Sequence, residues 1–195
     1  MIDLSRKLPI GIQTFEKLRK EGYLYVDKTA LVWQMVSTST PYFLSRPRRF
    51  GKSLLLSTFE AYFEGKKELF KGLAIEDLEK EWVTYPVLHL DLNARKYETP
   101  FDLVAMLNQH LEKWELLYGN EKQERSPEER FAYVIERASI LTGRNVVVLI
   151  DEYDKPLLQA MQNEALLDEY RTTLKAFYGV LKSSDRHLRF AFLTG

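Results

Sequence analysis

The segment 145–150, NVVVLI, restricts the possible folds more than any other stretch of this 195-residue sequence. Its residues after Asn145 are all apolar and mostly β-branched, so neither face of a strand formed here would present a polar side to water. A strand of this kind is typical of a parallel sheet that helices cover on both faces. We therefore predict that segment 145–150 is a central strand with a neighbouring strand on each side.

Strands and helices are predicted to alternate along the rest of the chain. Short apolar segments favour strands at residues 41–45, 86–92 and 188–195. Apolar residues at helical spacing favour helices at residues 14–20, 29–36, 51–64, 101–118, 127–141 and 166–182. This alternation predicts an α/β fold with a mostly parallel sheet, and the length is typical of a single domain covering residues 1–195. Because the chain stops directly after a predicted strand, we expect the domain to continue beyond Gly195.

The segment 44–53, LSRPRRFGKS, joins the first predicted strand to an amphipathic helix and ends like a phosphate-binding loop. In such loops backbone N–H groups, a helix N-terminus and a lysine converge on phosphates, and the next hydroxyl binds Mg²⁺. Gly51, Lys52 and Ser53 fit these roles. The consensus G-x-x-x-x-G-K-[ST], however, has a first glycine where this chain has Arg46. The alternative is that the segment is only the basic start of a helix.

Two adjacent carboxylates, Asp151 and Glu152, follow the most hydrophobic strand. In phosphoryl transfer, Asp151 would orient the Mg²⁺ shell and Glu152 would polarise the attacking water. The alternative is that the pair only caps a helix. A third candidate is Thr194, which ends the last strand and could contact a γ-phosphate there, or could simply start a turn. The joint occurrence of the acidic pair and the Gly-Lys-Ser loop favours nucleotide binding.

Composition excludes several other kinds of site. The chain has no cysteine, so disulfides, thiolate metal sites and a cysteine nucleophile are excluded, and three scattered histidines do not suggest a zinc site. Its 28 basic and 28 acidic side chains balance, so a nucleic-acid role would need a local basic patch. No apolar run approaches the length of a membrane span, and the N-terminus lacks the apolar region of a signal peptide. We therefore expect a cytoplasmic protein that does not bind membranes.

Four motifs resemble the AAA-ATPase-like domain family of bacterial proteins. They are YLYVDKTALV, YFLSRPRRFGKSLL, VVVLIDEYDKPL and the terminal FLTG, and together they span residues 23–195. An arginine-rich phosphate loop is the usual form in that family, so Arg46 departs from the general consensus and agrees with the family. The resemblance implies an ATPase with ATP and Mg²⁺ as cofactors. It also implies that Lys52 contacts phosphates, that Ser53 binds Mg²⁺, and that Asp151 and Glu152 are the acidic pair.

The resemblance further implies a P-loop NTPase three-layer sandwich with strand order 5-1-4-3-2, in which the fifth strand is expected beyond Gly195. In the family a nuclease-like domain of the PD-(D/E)XK type commonly follows, so nucleic acid is a possible partner through that domain, and oligomerisation is possible. Two alternatives stay open. One is a binding module that uses ATP as a switch with little turnover, and the other is a nucleic-acid-processing subunit whose nucleotide site has decayed.

The remaining candidate residues carry two interpretations each. Residues expected to contact the nucleotide, besides Lys52 and Ser53, are Arg48, Arg49, Phe50, Gly51, Leu54 and Tyr25. The three arginines of the loop could bind phosphates or a nucleic-acid backbone, or could pair with the acids of segment 151–154. Tyr25 could contact the adenine or belong to the core, and Asp27 could fix the neighbouring turn. We assign structural roles to His89 and Asp91, and we expect Asp154 to be a turn or helix-cap residue.

Overall fold

The computed structural model describes residues 7–38, 41–47, 49–120 and 125–195. These residues contain a four-stranded sheet formed by β1 (Tyr42–Leu44), β2 (Val87–Asp91), β3 (Val146–Asp151) and β4 (Leu188–Thr194). The strands are all parallel and lie in the order β1-β4-β3-β2. The protein therefore has an α/β fold with a parallel sheet, compatible with the predicted P-loop sandwich.

Eight α-helices lie within the described ranges. They are α1 (Phe15–Lys20), α2 (Thr29–Val36), α3 (Lys52–Phe63), α4 (Ala74–Leu78), α5 (Pro100–Tyr118), α6 (Pro127–Thr142), α7 (Lys155–Ala160) and α8 (Glu164–Ser183). Short 3₁₀ turns occur at Lys67–Phe70 and Asp185–His187. The six predicted helices and four predicted strands are confirmed with small shifts at their ends. The elements that the sequence did not predict, α4, α7 and the two 3₁₀ turns, are too short to show a clear helical period.

Strand β3 separates two hydrophobic cores, and all six of its residues are buried. Val146, Val148 and Ile150 face the core built by helices α5 to α8. Val147 and Leu149 face the core built by helices α1 to α4. β2 and β4 pair with β3 on its two sides, which confirms the neighbours predicted for this strand.

Proline and a capping box start each of the two helices that precede β3. Ser126 and Glu129 bond reciprocally at the start of α6, and Thr99 and Asp102 do the same at the start of α5. In each helix a proline occupies the first turn, where its missing N–H would have no acceptor in the helix. The predicted start of a helix at residue 127 is therefore confirmed, with Ser126 as its cap.

Asp27 fixes the start of α2, as predicted. Its Oδ1 accepts hydrogen bonds from the Thr29 N–H at 2.8 Å and from the Thr29 hydroxyl at 2.7 Å. Its Oδ2 accepts from the Ala74 N–H at 2.8 Å, which also attaches the start of α4. Although burial opposes it, these hydrogen bonds lower the pKa of the Asp27 carboxyl. One carboxylate thus holds two helix starts together on the α3 side of the sheet.

A buried ion pair joins α5 to α6. Arg130 Nε and Nη2 donate to the two carboxylate oxygens of Glu115, each at 2.7 Å, and Arg130 Nη1 donates to Asn108 Oδ1 at 2.6 Å. The Arg130 and Glu115 side chains are only 11% and 5% exposed. Removal of one partner would leave the other charge buried without compensation.

We expect Arg130→Met to lower the free energy of unfolding by about 3–5 kcal/mol, because it strands the Glu115 carboxylate. The double variant Arg130→Met with Glu115→Leu should recover most of that loss. Urea denaturation followed by circular dichroism measures both. Arg171→Met is the control, since Arg171 pairs with Asp168 on the surface. Its loss should change the free energy of unfolding by less than about 1 kcal/mol. A double variant as unstable as the single one would contradict this account.

Candidate functional site

The loop between β1 and α3 is attached to the carboxyl end of β4. The Gly195 N–H donates to the Leu44 carbonyl at 3.2 Å, and the Arg46 N–H donates to the Gly195 carbonyl at 3.1 Å. The Lys52 ammonium group donates to the Arg46 carbonyl at 2.8 Å, so the loop folds back over the start of α3. The backbone of Arg46 makes these contacts while its side chain is exposed.

The geometry explains why the loop needs no glycine at position 46. Among the described residues, the non-glycine residues with positive φ are Arg49 at 70°, Trp82 at 46° and Glu152 at 53°. Arg46 is not one of them, so its backbone does not require the freedom of glycine. In the described part of the loop, the residues with left-handed backbone are Arg49 and Gly51, and Gly51 has φ of 77°.

The N-terminus of α3 points free donors toward the loop. Gly51 precedes the helix and has no side chain to cap it, and the Leu55 N–H donates to the Gly51 carbonyl at 2.9 Å. The N–H groups of Lys52 to Leu54 therefore have no acceptor within the helix. Together with the helix dipole they favour an anion at this end.

Asp151 and Thr194 are joined at the carboxyl edge of the sheet. The Thr194 hydroxyl donates to Asp151 Oδ1 at 2.5 Å, and both side chains are buried. The Tyr153 N–H donates to the Thr194 carbonyl at 2.8 Å and attaches the chain after β3 to the end of β4. Thr194 is thus a hydrogen-bond partner of the first acid.

Glu152 adopts an unusual backbone conformation that turns its side chain into the site. A φ of 53° is strained for a residue with a Cβ and costs about 1 kcal/mol or more. Glu152 Oε1 lies 3.4 Å from Lys52 Nζ. The residue before α7 is Asp154, whose side chain makes no capping hydrogen bond, so neither acid of the pair caps that helix. The helix-capping alternative for Asp151 and Glu152 is wrong, and Asp154 occupies the cap position without bonding as a cap.

A cavity of about 910 Å³ opens between this loop and the N-terminal segment. The N-terminal segment contributes Pro9, Ile10, Gly11, Ile12 and Gln13 to its lining. The rest of the lining is mostly polar and comprises Arg49, Gly51, Lys52, Ser53, Leu54, Asn93, Glu152, Lys155 and Gln159. Three basic side chains face a single acid in this lining, so the cavity favours an anionic ligand. Its volume is typical of a site for a small organic molecule.

Most residues predicted from the sequence meet at this cavity. Of the predicted set, those in the lining are Arg49, Gly51, Lys52, Ser53, Leu54 and Glu152. Phe50 is 68% exposed and is not part of the lining. Arg48 lies outside the described residues. Within the described chain, no ion pair joins Arg46 or Arg49 to the acids of segment 151–154.

Tyr25 belongs to the core on the α3 side. Its ring meets the Phe15 ring edge-on, with the centroids 5.3 Å apart. Burial raises the pKa of the Tyr25 hydroxyl to about 12, and a hydrogen bond with Thr58 partly offsets that effect. Tyr25 does not line the cavity, so the structure favours its core role over the predicted adenine contact.

Sequence reasoning missed residues 9–13, Asn93, Lys155 and Gln159. The signal for the N-terminal segment was Pro9 followed by Gly11, which has φ of 73° and allows a turn before α1. Ile10 in that turn is 88% exposed, which is unusual for a residue of this type. Asn93 follows β2, and Lys155 begins α7, an element that was not predicted.

His89 and Asp91 have the structural roles predicted for them. His89 Nδ1 lies 3.2 Å from Glu60 Oε2 and thereby attaches β2 to α3. Burial lowers the pKa of His89, but the Glu60 carboxylate outweighs it and the net effect is upward. Asp91 Oδ1 accepts from the Asn93 N–H at 2.7 Å, and Asp91 pairs in register with Asp151. No cluster of three or more histidine or acidic side chains that could hold a metal occurs in the described ranges.

Within the part of the chain that the structure describes, no helix has both the length and the apolar character needed to cross a lipid bilayer.

A family model described as "Predicted AAA-ATPase" matches residues 9–195. The chain is also 42% identical over 191 residues to an "Uncharacterized protein in vnfD 5'region" of Azotobacter chroococcum mcd 1. That alignment covers 97% of this chain and 37% of the Azotobacter protein, so the chain spans well under half the length of this relative. No solved structure matches the chain.

If ATP binds in this cavity, Gly51→Ala should weaken that binding by about tenfold or more, because its methyl group would enter the cavity lining at a left-handed position. Gly22→Ala is the matched control. Gly22 has φ of 71°, and like Gly51 it has no atom within 4 Å of an added Cβ, but it lies outside the cavity. Both variants should lose about 1–2 kcal/mol of unfolding free energy. Calorimetric titration measures the binding, and equal ATP affinity in both variants would argue against this role of Gly51.

Proposed function

We propose that this chain, which belongs to the AAA-ATPase-like family, binds ATP with Mg²⁺ in the cavity and hydrolyses it. The observation that supports this most directly is the 3.4 Å approach of Lys52 Nζ to Glu152 Oε1. The two residues come from motifs far apart in the sequence, and each motif separately predicts a role in phosphoryl transfer. We take residues 1–195 as one P-loop ATPase domain of the 5-1-4-3-2 type.

The lining of the cavity offers groups for both ends of a nucleotide. Pro9, Ile10, Ile12 and Leu54 offer an apolar surface for a base, and Gln13 can hydrogen-bond to its edge. The basic side chains and the start of α3 offer positive charge and N–H donors to a triphosphate. This arrangement fits ATP better than a purely apolar or purely polar ligand.

Lys52 is the residue that we assign to the β- and γ-phosphates. Its side chain is 6% exposed, and its ammonium group contacts the Arg46 carbonyl and the Glu152 carboxylate. A lysine has three N–H donors, so it can turn toward phosphate oxygens while it keeps one of these partners. If the Lys52 ammonium group moved to the phosphates, the Glu152 carboxylate would lose this contact and could then polarise the attacking water.

Ser53 and Asp151 are the residues that would hold Mg²⁺. Mg²⁺ prefers oxygen ligands and usually keeps several waters beside one or two protein ligands and the substrate phosphates, so a large acidic cluster is not needed. The buried Thr194 hydroxyl fixes the orientation of the Asp151 carboxylate. When bound, the ion would neutralise charge on the phosphates. Thr194 would act in the site through Asp151.

The same geometry would also serve a switch that binds ATP with little turnover. The Lys52–Glu152 contact supports this second candidate, because an acid engaged by the phosphate lysine is not free to activate water. For the longer protein we propose that a nuclease-like domain follows and provides any nucleic-acid contact. The turnover of the wild-type chain separates the two candidates.

We expect Mg²⁺-dependent ATP turnover by the wild-type chain. Lys52→Ala should lose ATP binding, whereas Glu152→Gln should bind ATP within a few-fold of wild type and lose turnover by about 10²–10⁴-fold. Phosphate release and calorimetric titration measure the two quantities. Lys175→Ala and Glu169→Gln on the exposed side of α8 are the matched controls and should behave as wild type. Unchanged turnover in both site variants would refute the assignment, and tight binding without wild-type turnover would favour the switch.

Removal of Mg²⁺ with a chelator should abolish turnover, and excess Mg²⁺ should restore it. Ser53→Ala and Asp151→Asn should each raise the Mg²⁺ concentration that gives half-maximal turnover, because each loses an oxygen ligand of the ion. Titration of activity with Mg²⁺ at fixed ATP measures this. Ser57→Ala, one turn further along α3, is the control for the loss of a serine hydroxyl there. A Mg²⁺ requirement that stays the same in both site variants would assign the ion to other residues.

A further inference from the structure

The basic side chains of the cavity differ in what balances their charge. Lys52 lies 3.4 Å from the Glu152 carboxylate. Lys155 Nζ instead donates to two neutral acceptors of one residue, the side-chain oxygen of Asn93 at 2.9 Å and the Asn93 carbonyl. No carboxylate within the described ranges lies within ion-pair distance of Lys155. Lys155 thus brings a positive charge to the cavity that no acid compensates.

We propose that Lys155 binds the γ-phosphate of ATP and makes the site discriminate between ATP and ADP. This inference rests on the proposed ATP site. It assigns a function to a lysine that belongs neither to the phosphate loop nor to the acidic pair.

The position of Lys155 in the chain identifies the phosphate that it would meet. Lys155 begins α7, and its N–H donates to the Glu152 carbonyl at 3.1 Å, so the two residues share one turn. Both side chains line the cavity. If Glu152 activates the water that attacks the γ-phosphate, Lys155 on the same turn is a second cation, besides Lys52, that can reach that phosphate. The apolar residues that suit the base come from other segments of the chain.

In this structure the Lys155 ammonium group is bound to Asn93, and a phosphate could replace Asn93 as its acceptor. The Asn93 N–H donates to Asp91 Oδ1 at 2.7 Å, which fixes the residue just beyond β2. The Asn93 oxygens are neutral acceptors, whereas a phosphate oxygen carries negative charge and adds Coulombic attraction to its hydrogen bond with an ammonium group. A γ-phosphate would therefore compete well with the amide and carbonyl oxygens of Asn93 for the Lys155 ammonium group. With ADP bound, that competitor is missing and Lys155 stays on Asn93.

If Lys155 exchanged Asn93 for a γ-phosphate, contacts outside the cavity would also change. Gln159, one turn further along α7, accepts a hydrogen bond from the Tyr97 N–H at 2.8 Å. α7 is therefore attached to the segment after β2 at two points, through Asn93 and through Tyr97. ATP would break the attachment through Asn93 and leave the attachment through Tyr97 intact. The segment between β2 and α5 would then change its contacts with α7 when a γ-phosphate is bound.

The test compares nucleotides with and without a γ-phosphate in the presence of Mg²⁺. We expect Lys155→Met to weaken binding of a non-hydrolysable ATP analogue by about tenfold to a hundredfold, the usual effect of losing a hydrogen bond to a charged group. Binding of ADP should change by less than about threefold. Lys155→Arg should restore most of the analogue affinity, and Lys175→Met on α8 is the matched control. Calorimetric titration measures all affinities, and thermal unfolding checks that each variant is folded.

The outcomes separate the two proposals. Wild-type protein that binds neither nucleotide would overturn both the ATP site and the role of Lys155. If the wild-type protein binds both nucleotides, either of two results for Lys155→Met would overturn the role of Lys155 alone. One is an unchanged affinity for the analogue, and the other is a loss of ADP affinity as large as the loss of analogue affinity. Asn93→Ala provides a second measurement, since loss of the Asn93 side-chain acceptor should tighten analogue binding by up to several-fold. That gain should vanish in the double variant with Lys155→Met, and its persistence there would contradict the partner exchange.

Discussion

The hydrogen bond between the Thr194 hydroxyl and the Asp151 carboxylate is the interaction on which the site depends. It joins the ends of β3 and β4 inside the protein, where water cannot replace it, so its loss would leave a buried carboxylate without this donor. Backbone hydrogen bonds around Gly195 extend the connection to β1 and to the loop before α3. The ends of three strands and the start of α3 thus form one hydrogen-bonded frame beside the cavity, and Lys52 and Glu152 meet on it.

The sequence predicted the frame well because its signals are local. The apolar run of β3 and the apolar spacing of α3 and α8 each reflect burial of one element against the sheet, and such burial imposes a pattern on consecutive residues. The meeting of Lys52 and Glu152 could be predicted because parallel strands end at the same edge of a sheet. The role of Arg46 was harder to predict, since it depends on a φ value that residue type alone does not reveal.

The contribution of the N-terminal segment to the cavity could not be predicted from the sequence for a physical reason. Tyr25 and Ile10 are both apolar residues in irregular N-terminal segments, and composition does not tell which one packs inward. The structure buries Tyr25 against Phe15 and leaves Ile10 exposed at the cavity. Lys155 was missed because α7 has only six residues and its lysine follows a turn whose direction depends on the strained backbone of Glu152.

The left-handed backbone of Glu152 sets two contributions to stability against each other. A glycine at that position would adopt the same conformation without strain. It would also delete the carboxylate that faces Lys52, and the buried lysine would lose the acid that lies 3.4 Å from its ammonium group. The charge of Lys52 therefore keeps a strained acid in place, and glycine would become the more stable choice at this position in a chain whose Lys52 had also lost its charge.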